Sequence, residues 1–473
     1  MISSNSNNSS LSISFEALFK KCGIYRFFNH FGFTKRSGAK PLEILLACVS
    51  SIFVAPNFYR FFKCRNVGKT CNVSYDAVMR FMKNDRCNWQ GIVLKVASFM
   101  ISFITSSLNP DNINCLVADD TMIERPRAKK SELLARQFNH VTMKHCKSYN
   151  ALSVGWTDGH SFFTVLSYLF SSANKELLIR KAKEADGRYF SGKIRNIAQK
   201  SKSDVLISMC KRILNAGIKA QVLLVDSWFY SEALMQAMQQ LGLSVISLVK
   251  RNLVFTLPGD STEYSQDALR KLLQAKLGHN SPELSCTAYT SAGRLVRLVF
   301  VSSYSNDGKY LTIVSSDPSY TPQQIVSLYS RRWSIEMAFR TQKEFLGLNS
   351  ECQAHNFTTV NSFMNLANLR FILMEFNRRI NDDPRSMGEI FFNTSDELHA
   401  QPYAQSLSML INLANSIPDE LAKNGCLKEG AYEKAKAIVN KMLTSWYEGI
   451  YTFVQNSINI IREQQEIPPL KLE

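Results

Sequence analysis

The chain has 473 residues, 45% of them apolar, and 56 Lys and Arg against 39 Asp and Glu, a formal charge of +17. That length implies about three domains with sizeable cores and excludes a disordered or fibrous chain, while the cation excess favours a polyanionic partner, nucleic acid first and an acidic membrane surface second. Eleven cysteines without a Cys-x-x-Cys pair argue against a zinc ribbon and for reduced thiols acting as small apolar residues in a cytosol.

The leader MISSNSNNSSLSIS lacks the basic-then-apolar pattern of a secretory signal. No stretch reaches the about 18 uncharged apolar residues of a membrane span, so no membrane role is expected, and the most apolar run, 44–55, reads as a core helix. Residues 1–110 read as a helical N-terminal DNA-binding domain, with apolar periodic segments at 15–33, 41–63 and 91–107 and basic residues between them. Ser74 caps a short predicted helix that turns Val78, Phe81 and Met82 inward and Arg80 and Lys83 outward. Such a helix is either the reading element of a helix-turn-helix or an ordinary surface helix.

From residue 114 the texture changes to strands, at 115–120, 151–157 and 161–170, with Asp158-Gly159 as the hairpin turn between the last two. A helix at 204–217, a strand at 221–226, a helix at 231–242 and a strand at 243–250 follow. Strand, hairpin, helix, strand, helix, strand is the order of a ribonuclease-H-like core, so the predicted class is α/β, with the first part of that core at 111–250. Residues 251–317, with SCTAYTS, RLVRLVFVSS and KYLTIVSS joined by turns, read as an antiparallel β-rich insertion. The core resumes at 318–380, and 381–473 reads as a helical C-terminal domain suited to dimerisation.

The chemistry is densest in YSRRWSIEMAFRTQK, residues 329–343. As one helix, at roughly 100° per residue, it sets Tyr329, Arg332, Glu336 and Lys343 within about 60° of one another. Cations and a phenol grip phosphate oxygens while the carboxylate holds a cation. The alternative is a solvated face with weak ion pairs. Trp333, Ile335, Met337, Phe339 and Phe345 weigh against it, because a helix so apolar is largely buried and a buried glutamate needs a partner.

Two further acids follow apolar strands: Asp119, then Asp120-Thr121, after CLVA, and Asp226 after QVLLV. At the carboxyl ends of neighbouring parallel strands such carboxylates lie side by side. Taken singly, each is more often a turn or cap residue.

Tyr329, Arg332, Glu336 and Lys343 match the Y-(2)-R-(3)-E-(6)-K motif, and LVADDTMIERP and LLVDSWFYS resemble the first and second acidic motifs, of the DDE transposases of bacterial insertion sequences of the family-four type. The resemblance runs from about 114 to 375 and includes an insert between the second Asp and the Glu. It implies a catalytic, metal-binding triad of Asp119, Asp226 and Glu336, with Tyr329, Arg332 and Lys343 holding the DNA phosphates. Asp119 fits the family's Asp-x-Thr pattern, whereas an alignment on Asp-Thr selects Asp120. The implied cofactors are two Mg²⁺ (or Mn²⁺) ions, and the implied reaction is cleavage at terminal inverted repeats and joining of the 3′-hydroxyl to target DNA. The partners would be double-stranded transposon-end and target DNA, with a homodimer in the synaptic complex, in a bacterial cytoplasm beside the nucleoid.

Trp228 and Trp333 are candidates for stacking on a flipped base, or else core residues. The basic run holding Arg125, Lys129 and Lys130, with Arg136, Lys144, His145 and Lys147 beyond it, suits non-specific phosphate contact or is a soluble loop. Lys250, Arg251, Arg294 and Arg297 are candidates to line DNA on the insertion. His140 and His355 read as hydrogen-bonded structural histidines rather than ligands. A ribonuclease-H-like nuclease or junction resolvase that cuts without joining, and a basic DNA-binding protein with a dead core, are the competing functions.

Overall fold

The computed structural model describes residues 19–20, 23–64, 73–106, 109, 111–139, 142–277, 284–302, 310–427, 430–450, 455, 458–459 and 461–463. In chain order the elements are α1 (Pro41–Val54), α2 (Tyr75–Met82), α3 (Trp89–Thr105), β1 (Cys115–Glu124), β2 (Ala135–Asn139), β3 (Lys144–Thr157), β4 (Phe162–Phe170), α4 (Phe190–Ile197), α5 (Lys202–Asn215), β5 (Val222–Val225), α6 (Glu232–Gln240) and β6 (Ser244–Leu248). There follow β7 (Val254–Thr256), β8 (Glu263–Ser265), α7 (Gln266–Leu277), β9 (Leu284–Thr290), β10 (Leu295–Ser302), β11 (Tyr310–Ser315), α8 (Pro322–Ser330), α9 (Trp333–Glu344), α10 (Phe357–Ile380), α11 (Met387–Lys423) and α12 (Ala431–Glu448). No described helix is long and apolar enough to cross a membrane.

The fold is mixed α/β. One mixed sheet of eleven strands runs β2-β3-β1-β5-β6-β11-β10-β9-β7-β8, with β4 paired to β3. Around β1, the antiparallel β3–β4 hairpin lies on one side and the parallel pair β5–β6 on the other, consistent with the ribonuclease-H-like order read from sequence. β4 is buried on both faces along its whole length and β1 over residues 115–118, which is why FFTVLSYLF and CLVA run apolar instead of alternating.

Three expectations change. The 251–317 insertion does not form a separate sheet: β11 pairs antiparallel with β6, so its strands extend the core sheet directly. It also contains α7, whose amphipathic QDALRKLLQAKL follows Ser265, a cap that accepts from the Ala268 N–H at 3.3 Å. The N-terminal helices are not a free-standing domain either. The buried Gln90 side chain on α3 donates to the Ser167 carbonyl of β4 at 3.1 Å and to Asn361 Oδ1 of α10 at 2.6 Å, so residues 19–52 and 56–384 form one compact unit.

Two buried ion pairs fasten that unit. Arg370 and Glu351 are almost wholly buried, and Arg370 also donates to the Cys48, Val49 and Leu346 carbonyls. Arg195 of α4 meets Glu132 through Nε at 2.7 Å and Nη2 at 2.9 Å, and Glu132 further accepts the backbone N–H groups of Lys183 and Phe357. Burial alone would raise the Glu132 pKa, but these donors outweigh it and hold the carboxyl below its ordinary value. The stability this contributes is present above the ordinary carboxyl range and is lost as pH falls below it. Glu132→Gln should therefore lower the urea midpoint at pH 7 yet flatten its decline between about pH 5 and pH 3.

The second unit takes in residues 385–473 with 53–55, and its described core is Leu407, Ile411, Tyr447 and Ile458 beneath α11 and α12. α11 begins at a capping box, Ser386 with Glu389, that an S-x-x-E pattern announces in the sequence. Cys48, Cys87, Cys115, Cys210 and Cys352 are buried, as small apolar residues.

Candidate active site

β1 does not stop at Asp119. It continues to Glu124 because β3 keeps pairing with it, Glu124 opposite Ser148, after β5 has ended at Val225. Cys115 lies beside Val222 and Val117 beside Leu224; continued two residues, that parallel register brings Asp226, just past β5, level with Asp119. Adjacent strands are about 4.8 Å apart, so the two aspartates reach the same spot from different parts of the chain.

The third acid arrives on a helix that is not the single one expected. α8 ends at Ser330, and α9 begins at Trp333. Between them the N–H groups of Arg331, Arg332 and Ser334 bond back three residues, and the Ser330 and Ser334 hydroxyls bond the Ser327 and Arg331 carbonyls, tightening the chain into a turn. Arg331 Nη1 donates to the Ile113 carbonyl at 2.7 Å, fixing the turn beside the start of β1. The helical face is nevertheless preserved, because Arg331 and Arg332 keep right-handed helical dihedrals.

Arg332 is the hub. Its Nη1 lies 3.1 Å from Asp119 Oδ2, its Nη2 pairs with Glu336 Oε1, and its guanidinium is 5.8 Å from the Tyr329 ring centre. Burial, with repulsion from Asp120 and Asp226, pushes the Asp119 pKa up to about 6 against the opposing Asp120 N–H and Arg332. The Tyr329 hydroxyl, pushed up to about 12 by burial and by Asp226 and Asp119 against the pull of Arg332, makes no hydrogen bond, nor does Arg332 Nε. Buried polar atoms left unpartnered mark a site that is incomplete without a ligand.

Lys343 Nζ donates to Thr121 Oγ1 at 2.6 Å, two residues beyond Asp119 on the same strand face, and burial holds its pKa below the ordinary lysine value. Asp120 points to the opposite face and pairs with Lys202 at the start of α5, whose ammonium lies 5.1 Å from the Trp228 ring centre. This separation favours Asp119 over Asp120 as the first acid. Lys202 and Thr121 were invisible in sequence, since neither has a spacing relation to the acids.

Some expectations fail. Trp333 is 60% exposed and Trp228 54%, so the core reading of both tryptophans is wrong; Met337, 45% exposed, also leaves the helix expected to be largely buried, whose buried residues are Ile335, Ala338, Phe339, Thr341 and Gln342. Arg125 turns partly inward toward the Ala354 carbonyl, with its Nε buried and unbonded, while Lys129 and Lys130 are exposed. Arg294 on the insertion is bonded to Glu232 and Gln239 of α6, a structural tie. His355 Nδ1 lies 3.5 Å from Ser131 Oγ, and His140 lies outside the described residues.

Carboxylates are the donors a hard divalent ion takes, and the mutual repulsion of Asp119, Asp120 and Asp226 is a cost such an ion would offset. Among the described residues, however, no three His, Cys, Asp or Glu side chains are grouped so as to hold one ion. The Arg332 guanidinium lies between Asp119 and Glu336 instead. The donor chemistry fits a metal; the side-chain arrangement is that of an arginine-bridged state.

A family model described as DDE superfamily endonuclease matches residues 64–295. The match spans Asp119 and Asp226 and ends before Glu336, and it supports a DDE-type nuclease, an enzyme class that generally uses divalent metal ions. A solved structure, the Drosophila P element transposase strand transfer complex, aligns with 96% of this chain and 87% of that chain at 12% identity and a TM-score of 0.21. No curated protein matches.

Proposed function

We propose that the chain is a DDE transposase of the insertion-sequence type, which binds terminal inverted repeats, cleaves at the ends and joins the 3′-hydroxyl to target DNA. The observation that carries this reading is Arg332 bridging Asp119 and Glu336, with Asp226 in register beside them. Asp119, Asp226 and Glu336 would hold two Mg²⁺ (or Mn²⁺) ions, which when bound supply Lewis-acid charge stabilisation at an in-line phosphodiester displacement.

The chain's own residues do the rest. Arg332, the unpartnered Tyr329 hydroxyl and Lys343 line the spot where phosphate oxygens are gripped. Arg332, which bridges Asp119 and Glu336, would exchange those carboxylates for a phosphate if cations took its place between them. Trp228 and Trp333 offer exposed faces on which an unpaired base can stack. Exposed Lys129 and Lys130 add sequence-independent attraction. Two ends must be joined, so a second copy is expected; exposed Leu410, Leu413 and Ile417 on α11 form an apolar stripe suited to it.

A labelled terminal-repeat duplex incubated with Mg²⁺ and a plasmid target tests this. Labelled plasmid is the expected product. Cleaved duplex alone would make the chain a nuclease or resolvase, and binding alone would sink the enzymatic reading.

A further inference from the structure

A cavity of about 390 Å³ opens between the end of α2 and the segment that enters α4, lined by Arg80, Lys83, Asn84, Asp85, Arg86 and Tyr189. None of these residues belongs to the acidic site. Three cations face one carboxylate, and among the described residues none of the three is in an ion pair. The Arg86 guanidinium lies 5.3 Å from the Tyr189 ring centre, which holds it flat.

The walls are fixed before any ligand arrives. The 84–88 turn is held by Arg86 N–H donating to Asn84 Oδ1 at 3.0 Å and Asn88 N–H to the Phe31 carbonyl at 2.8 Å. Gly32, at φ +76, approaches so closely that a Cβ there would lie 2.3 Å from the Arg86 carbonyl oxygen. On the other side the Ser191 N–H donates to the Asp85 carbonyl at 3.0 Å. Ser191 opens α4, whose Arg195 grips Glu132 at the end of the loop that leaves β1. These contacts thus join the cavity, through α4, to the segment that follows the strand carrying Asp119.

We propose that this cavity seats the phosphate backbone of duplex DNA, as a second grip that sets the register of the strand entering the acidic site. The inference rests on the proposed function, in which DNA is the substrate. One phosphate is satisfied by a single bidentate arginine, whereas Arg80, Lys83 and Arg86 bring three cations to one cavity, more than a lone phosphate needs and suited to neighbouring phosphates of one backbone. Arg86 covers one face of Tyr189, and Asn84 is the sole neutral amide in the lining, so the grip is sequence-independent.

The test compares the full chain with Arg80→Gln/Lys83→Gln/Arg86→Gln, without metal, by fluorescence anisotropy on two labelled duplexes of unrelated sequence over a KCl series. The slope of log K on log salt should fall by about 2 to 3, at about 0.9 for each phosphate no longer neutralised, and affinity should drop alike on both duplexes. The single variant Lys83→Glu, should the triple fail to fold, should cost a slope of about 1 or more. An unchanged slope in a variant with unchanged thermal melting overturns the proposal. So does a variant that loses only thermal stabilisation by inorganic phosphate, because the cavity is then a small-anion site. A parent chain that binds duplex but never cleaves it would sink the functional reading and leave this one standing; intact cleavage with an unchanged slope would do the reverse.

Discussion

Asp226→Asn is expected to cut Mg²⁺-dependent DNA cleavage by at least about 100-fold, the upper end of what losing a mere supporting residue of a metal site costs. Its melting temperature should stay level or rise. The reason lies in the repulsion already visible between Asp226, Asp120 and the half-buried Asp119: neutralising one carboxylate relieves it in the folded chain and has little effect on the unfolded one. Loss of activity with no loss of stability separates a working acid from a turn residue, whose removal lowers stability instead. Glu336→Gln should behave likewise in activity, but it weakens the bond to Arg332, so its melting temperature should not rise. Cleavage undiminished in either variant would remove the acids from the chemistry.

The largest stability effect is expected at Arg370. Its guanidinium is fully buried, and in Arg370→Met the Glu351 carboxylate is left in the core without its cation while the Cys48, Val49 and Leu346 carbonyls each lose the bond that Arg370 gives them, Cys48 keeping that from the Ser51 hydroxyl. Removing one partner of a buried pair costs about 3–5 kcal/mol, read as a drop in the urea midpoint of the unit holding the sheet. Arg370→Met/Glu351→Leu should recover part of that loss, because the orphaned charge is gone, but not all, because the three carbonyl bonds of the guanidinium stay lost. Full recovery would mean the carbonyl bonds contribute nothing.

How far the chain could be read without coordinates depends on whether the deciding contacts are local. β4 and the start of β1 were legible because both faces are buried there and FFTVLSYLF and CLVA are almost wholly apolar. The acids were legible because Asp119 and Asp226 follow such runs and Glu336 sits four residues after Arg332, a spacing that keeps its meaning even though the helix is interrupted at Arg331 and Arg332. That interruption was hidden: it depends on hydroxyl groups of Ser330 and Ser334 and on Arg331 reaching the Ile113 carbonyl 218 residues away. The exposure of Trp333 was misjudged because apolar content tells how much surface a helix must bury, not which side chain is spared; Trp228 stands in the turn after β5, where no periodicity tells which way a side chain faces. α7 was missed although Ser265 and the amphipathic run after it announce a helix; the β-branched segments around it drew the reading toward strands throughout. Lys202, paired with Asp120 across 82 residues, had no local signal at all.

The junction of β6 with β11 sets a yardstick. From β1 to β10 the continuous ladder crosses four strand spacings, about 19 Å, close to the rise of five or six base pairs. No loop interrupts that span, so on the proposed reading an oligonucleotide lying across it meets the acids and the insertion as marks on a fixed gauge, and the step between them is counted in nucleotides by the architecture itself.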